Sequence, residues 1–217
     1  MCFRTSVIVG VLCGAISLAG CSGQFPAQPD PVGPAFGASG AAAQAASTST
    51  EPMKIFNTNT ILPGWSKLTR TPSGVSMTMH AENLVPGNAY TAWFVIFNDP
   101  DACINDGCGV DDVFANRGVP SLRFGSGHVV GGSGNGNFGG HLGVGNTGGP
   151  PCAMDANLAF CGPGLVDAYA TEVHLVLRNH GPAIPGLVDE QISSFGGGCQ
   201  VNACANVQAS VHPPADN

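Results

Sequence analysis

Three groups of side chains in this chain of 217 residues have the types and spacing to do chemistry. The first is His128 and His141, which flank a glycine-rich run from Gly131 to Gly140. If Gly134-Asn135 makes a two-residue hairpin turn, the two histidines lie directly opposite each other. Their Cβ atoms would then be about 4.5–5.5 Å apart, close enough for two imidazoles to share a copper or zinc ion. A turn at Asn135-Gly136 shifts the register and separates them, and the sequence suits either. The plainer reading is a glycine-rich hairpin with its histidines on a solvated or half-buried face. A phosphate loop is a poorer fit, because Gly131-x-x-Gly134-x-Gly136 lacks the helix start and the Lys.

The second group is Glu172, His174, Arg178 and His180. All four share parity, so a regular strand projects them from one face. A carboxylate, an imidazole and a guanidinium together can bind an anion or tune a histidine for proton transfer, and His174 or His180 could complete a metal set with His128 and His141. The alternative is a polar strand face on which exposed opposite charges pair, at less than about 1 kcal/mol per pair. His80 and His212 also fall on the polar positions of their strands, where a single histidine is ordinarily structural.

The third group is acidic. Asp99, Asp101, Asp106, Asp111 and Asp112 crowd one loop and could offer several of the six to eight oxygens that calcium takes. Their spacing is not that of the twelve-residue calcium loop, which leaves a solvated acidic loop as the alternative. Signatures of nucleophilic or metal-assisted hydrolysis are missing: there is no Gly-x-Ser-x-Gly and no His-Glu-x-x-His. No catalytic residue is therefore assigned.

The elements that must position these groups read as strands. Val75 to His80 and Val207 to His212 alternate apolar and polar residues, the pattern of a strand with one buried face. Ala89 to Phe97 is apolar on both faces and reads as a central strand, while Glu172 to Arg178 places Val173, Leu175 and Leu177 together on one side. Pro86-Gly87-Asn88 is a turn signal. Short strands between Gly and Pro turns point to an all-β antiparallel sandwich, immunoglobulin-like or a related barrel, with long Gly/Pro-rich loops. At most one short helix is expected, within 185–195, where Val188, Ile192 and Phe195 have helical spacing and Gly196 can act as the stop.

Of nine cysteines, Cys2 and Cys13 lie in an apolar leader and Cys21 directly follows it. The remaining six are an even number, as in a disulfide framework. Local spacing favours Cys103 with Cys108, Cys152 with Cys161 and Cys199 with Cys204, each pair bracketing a turn-rich segment. Four of these cysteines also form C-x4-C pairs, which keeps a metal site as the competing reading.

Composition narrows the function classes. Acidic residues (14) outnumber basic ones (7), for a formal charge of −7, which argues against nucleic acid as a partner. With 32 Gly, 17 Pro and 10% charged residues the chain is no coiled coil, and with 43% hydrophobic residues it is not mainly disordered. Residues 1–20 carry one basic residue, Arg4, ahead of an apolar run too short to span a bilayer, the pattern of a signal peptide. Residues 21–51 are rich in Ala, Gly, Ser and Pro and are expected to form a flexible tether. The β domain is expected over 52–213, with a disordered tail over 214–217.

Leu18-Ala19-Gly20-Cys21 resembles the lipobox of bacterial lipoproteins. That resemblance implies cleavage before Cys21, its modification with diacylglycerol and palmitate, and a lipid anchor in the cell envelope. Ser22, where an Asp tends to retain lipoproteins at the inner membrane, implies an outer-membrane destination. The segments Trp93 to Asn98 and His180 to Gln191 resemble parts of exported bacterial domains over roughly residues 75–212, which implies export and no particular activity. Copper and zinc superoxide dismutases are also exported β-sandwiches, but their His-x-His pair is missing here. The expectation is a membrane-anchored envelope lipoprotein with a non-enzymatic binding or structural role toward a protein or carbohydrate. A copper- or zinc-dependent protein and a calcium-stabilised adhesion domain are the alternatives.

Overall fold

The computed structural model describes residues 44–105, 107–147 and 162–215. The leader, Cys21, most of the tether, Asp106, Cys152 and Cys161 lie outside the described residues. Eight antiparallel strands form one sheet: β1 (Ser47–Ile55), β2 (Ile61–Thr71), β3 (Gly74–Ala81), β4 (Asn88–Phe97), β5 (Pro120–Val129), β6 (Gly136–Gly143), β7 (Glu172–Pro182) and β8 (Ala205–His212). Their spatial order is β5-β4-β7-β8-β1-β2-β3-β6, so β5 and β6 are the edges. The sheet curls until these edges meet through two glycines: a Cβ built on Gly140 would stand 3.0 Å from Gly125 Cα. The result is a nearly closed barrel, and the all-β antiparallel expectation holds.

Alternation along the strands fills the interior. Met77 and Met79 from β3, Phe94 and Ile96 from β4, and Val173, Leu175 and Leu177 from β7 form a single core with Met53, Leu68 and Phe138. As expected, β4 is central and buried on both faces. Tyr90, Ala92, Phe94 and Ile96 point inward, whereas Thr91, Trp93 and Phe97 are covered from outside.

The interior is not wholly apolar. At one end Ser49, Ser66, Ser210 and His212 form a hydrogen-bonded layer: His212 Nδ1 is 2.7 Å from Ser49 Oγ, His212 Nε2 is 2.8 Å from Ser66 Oγ, and Ser66 Oγ donates to Ser210 Oγ at 2.6 Å. Arg70 lies beside it and donates to the carbonyls of Ala168, Thr171, His212 and Pro213. These five side chains are thereby matched to hydrogen-bond partners, as burial favours. The β8 expectation is corrected here. Gln208, Ser210 and His212 are the buried side of the strand, Ala209 and Val211 are half-buried on the outside, and Val207, at the bulge between the Leu177 and Arg178 pairings, packs against the core. His212 is structural, as expected, but lies in the interior rather than on an exposed face.

Several boundaries also move. Residues 47–51, assigned by composition to the tether, are the first part of β1 and pair with β2 from Ser47↔Arg70 onward. Ladder bonds and the Ser49–His212 contact take the place of the apolar side chains that segment lacks. Residue 215 is not in a free tail, since Ala215 N–H donates to Tyr169 O at 2.8 Å. The helix expected within 185–195 is a short turn, α2 (Val188–Gln191), and a second, α1 (Val110–Phe114), forms in the acidic loop. The buried Gln191 fixes α2: its amide donates to Pro182 O and accepts from Ile184 N–H.

Candidate functional site

The outer face of β4 and β7 is roofed by α1 on one side and by the segment after α2 on the other. On α1, Asp112 does the positioning. Its carboxylate accepts from Ile104 N–H, Gly109 N–H and Arg117 Nε, so it is spent on the loop itself. Burial pushes this carboxyl up, but the Arg117 bond and the two backbone donors outweigh it and hold the pKa below its ordinary value. The Cys103–Cys108 disulfide packs with Phe97, Val95 and Val113, fastening the loop to β4. On the other side Phe195 meets Trp93 edge-on at 5.3 Å and lies under the Arg178 guanidinium at 4.0 Å.

Between these two covers is a hollow of about 260 Å³ with a mostly apolar lining that includes Trp93, Val95, Val113, Val176 and Phe195. A second hollow of about 270 Å³ adjoins it, with Lys54, Asn57, Thr58 and Asn59 in its wall. The two share Phe56, Gly109, Val110, His174 and Val176, so the histidine stands where the apolar half meets the polar half. His174 Nε2 is 2.6 Å from Glu172 Oε1, which also accepts Cys108 N–H at 2.8 Å, and its ring lies 5.1 Å from that of Phe97. Because the carboxylate takes the Nε2 hydrogen, Nδ1 is the imidazole atom left to face a ligand.

Glu172, His174, Arg178 and His180 do project from one face of β7, but they divide into two places. At about 3.3 Å per residue, His174 and His180 are roughly 20 Å apart along the strand. Glu172 and His174 belong to the groove. Arg178 bonds Phe195 O and Asn206 Oδ1, and His180 is fully buried beneath the loop that follows α2.

His128 and His141 are not opposed. β5 pairs with β4 and β6 pairs with β3, so neither hairpin register exists: Tyr90 faces His128 and Ser76 faces His141. The bulge between Ala92 and Trp93 leaves Gly125 unpaired and switches the parity of β5, which turns His128 inward onto Phe138, with ring centroids 4.4 Å apart. Burial lowers its pKa. His141 is exposed and bonds Ser76 Oγ at 3.0 Å. His80 is near the surface between Asn137 and Glu82, as a structural histidine.

Among the described residues, one group of His, Cys, Asp or Glu offers ligand atoms within 4.8 Å of one another, and it is His180, Cys199 and Cys204. Such a cluster can hold a metal ion, although Cys199 and Cys204 are joined to each other in this structure. The expected sets at His128 and His141 with His174 or His180, and at Asp99, Asp101, Asp111 and Asp112, do not form comparable groups among the described residues. Two of the three expected disulfides, Cys103–Cys108 and Cys199–Cys204, are present, and the third falls outside the described residues. Sequence reasoning missed the groove, Gln191 and the inward turn of His212, all products of curvature and long-range pairing. No helix among the described residues is long and apolar enough to cross a membrane.

No family model, curated protein or solved structure matches the chain.

Proposed function

We propose that the chain is an exported, lipid-anchored envelope protein with a non-enzymatic binding role, and that its ligand is a small amphiphile with an acidic head group. The observation that carries this reading is the two-part groove, apolar from Trp93 to Phe195 and polar around Lys54, with His174 at the junction. Small-ligand sites are concave, largely apolar and set with a few fixed polar groups. An apolar chain fits the first hollow, while a carboxylate in the second meets the Lys54 ammonium and hydrogen-bonding side chains. The lipobox-like Leu18 to Cys21 and the Ala/Gly/Ser/Pro-rich segment after it support the anchored reading, in which the groove would work near lipid. The Glu172 hydrogen bond holds the His174 ring in place in the groove, as a binding role requires.

The test uses the full chain, a naphthylamine dye as apolar probe and decanoate as competitor. Dye fluorescence is expected to rise on binding and to fall as decanoate displaces the dye. Val176→Trp, which fills the first hollow, is expected to abolish both effects while the melting temperature is retained. Lys54→Met should keep the dye but weaken decanoate about tenfold, the loss of one good charge-assisted hydrogen bond. Dye binding that survives Val176→Trp in a folded protein removes the groove as the site.

A further inference from the structure

We infer that two-electron reduction of the Cys199–Cys204 disulfide uncovers a site for a single Cu⁺ ion, ligated by Cys199 Sγ, Cys204 Sγ and His180 Nδ1. The placement is already made in the oxidised protein. His180 Nδ1 lies 3.9 Å from Cys199 Sγ and 3.7 Å from Cys204 Sγ. The histidine is fully buried while both cysteines are half-buried, so the cysteines are the more exposed part of the cluster. Reductant and metal can therefore reach the sulfurs, and the imidazole closes the site from below.

The histidine is held for this role by an ordered hydrogen-bond chain. Gly197 O, 2.9 Å from Nδ1, can only accept, so Nδ1 carries the hydrogen in the oxidised state. Nε2 then accepts from Thr91 Oγ1–H at 2.7 Å, and Thr91 Oγ1 accepts Trp93 Nε1–H at 2.7 Å. Binding a metal at Nδ1 requires the other tautomer, with Nε2–H donating to the Thr91 hydroxyl, and that partner is already in place. A fixed outer partner of this kind sets the tautomer and aim of a ligating histidine.

The chemistry balances with a dithiol as reductant. Its two thiols supply two electrons and two protons, the Cys199–Cys204 bond breaks, and the reductant becomes a disulfide. The two new thiols release their protons to solvent when the metal binds. Soft thiolate and imidazole donors favour Cu⁺ and Zn²⁺ over hard cations. Three described donors suit a three-coordinate monovalent ion better than the four-coordinate geometry zinc takes. Two thiolates around Cu⁺ leave one net negative charge, and the Arg178 guanidinium, with Nη2 3.9 Å from Cys199 Sγ, is placed to offset it. This inference does not rest on what binds in the groove.

The experiment titrates Cu⁺ against bicinchoninate into the full chain, before and after phosphine reduction. Reduced protein is expected to take one equivalent more than oxidised protein, and one more than reduced Cys199→Ser/Cys204→Ser. Cys103→Ser/Cys108→Ser should keep that equivalent. His180→Gln should weaken it about tenfold or more, and the copper-edge absorption spectrum of reduced wild-type protein should show two sulfurs and one nitrogen. Equal copper in the reduced wild-type and Cys199→Ser/Cys204→Ser proteins overturns the site. A shell of sulfur alone overturns the role of His180, which keeps the inference testable if His180→Gln does not fold. Tighter binding of Zn²⁺ than of Cu⁺ overturns the choice of metal.

Discussion

His212 Nε2 and Ser66 Oγ are 2.8 Å apart inside the barrel, where neither side chain reaches water. The pair places an ionisable ring in a layer of hydroxyls with no carboxylate among its hydrogen-bond partners. Burial first, then the charges of Arg70 and His174, bring the His212 pKa down to about 4.

This sets a pH dependence of stability. In the unfolded chain the imidazole titrates near 6.5, so between pH 6.5 and about 4 the unfolded state binds more protons than the folded one. Stability should therefore fall as pH drops through this window, by up to about 3 kcal/mol from His212, and be constant in this respect above it. Burial lowers the pKa of His180 and His128 as well, with the same sign. Urea midpoints at pH 7, 5.5 and 4 should decline, and His212→Gln should flatten the decline. A midpoint unchanged between pH 7 and 4 contradicts this account.

Arg70 makes a second test of the polar interior. Replacing it with Met leaves four buried or partly buried carbonyls without their donor, at an expected cost of about 3–5 kcal/mol. Arg70→Lys should recover only part of that, because one ammonium cannot reproduce a planar fork. Chemical denaturation of the three proteins side by side gives the ranking.

The barrel seam predicts a contrast between neighbouring glycines. Gly140→Ala drives a methyl to 3.0 Å from Gly125 Cα and should destabilise by about 1–3 kcal/mol. At Gly139 the same change meets Met77 O at 3.8 Å, an ordinary contact, and should be close to neutral. Thermal melts that show equal shifts for the two variants would mean the edges do not meet there.

Glu172 joins the groove to the stapled loop. Glu172→Ala removes the acceptor of both His174 Nε2 and Cys108 N–H, with an expected loss of about 2–3 kcal/mol. Amide hydrogen exchange should speed up at Cys108 and along α1. Exchange confined to β7 would assign Glu172 to the strand alone.

Local pattern was enough for the strands and for two staples. The alternation from Val75 to His80, the doubly apolar run from Ala89 to Phe97 and the shared parity of Glu172, His174, Arg178 and His180 are short-range properties, and side-chain period alone carries them. Cys103 with Cys108 and Cys199 with Cys204 were legible because a five-residue separation permits few other closures. Partnership was not legible. Strands β5 and β6 are neighbours in sequence yet lie at opposite ends of the strand order, and the bulge at Gly125 turned His128 away from the face of His141. Nor does alternation say which face is inside: in β8 the polar side is the buried one, because serines from β1 and β2 and the Arg70 guanidinium wait there for it. The groove at His174 and the cluster at His180 depend on covers contributed by segments distant in sequence, so sheet closure decided them. Periodicity is a property of one strand, whereas register, facing and cover are properties of pairs, and a single sequence records only the first directly.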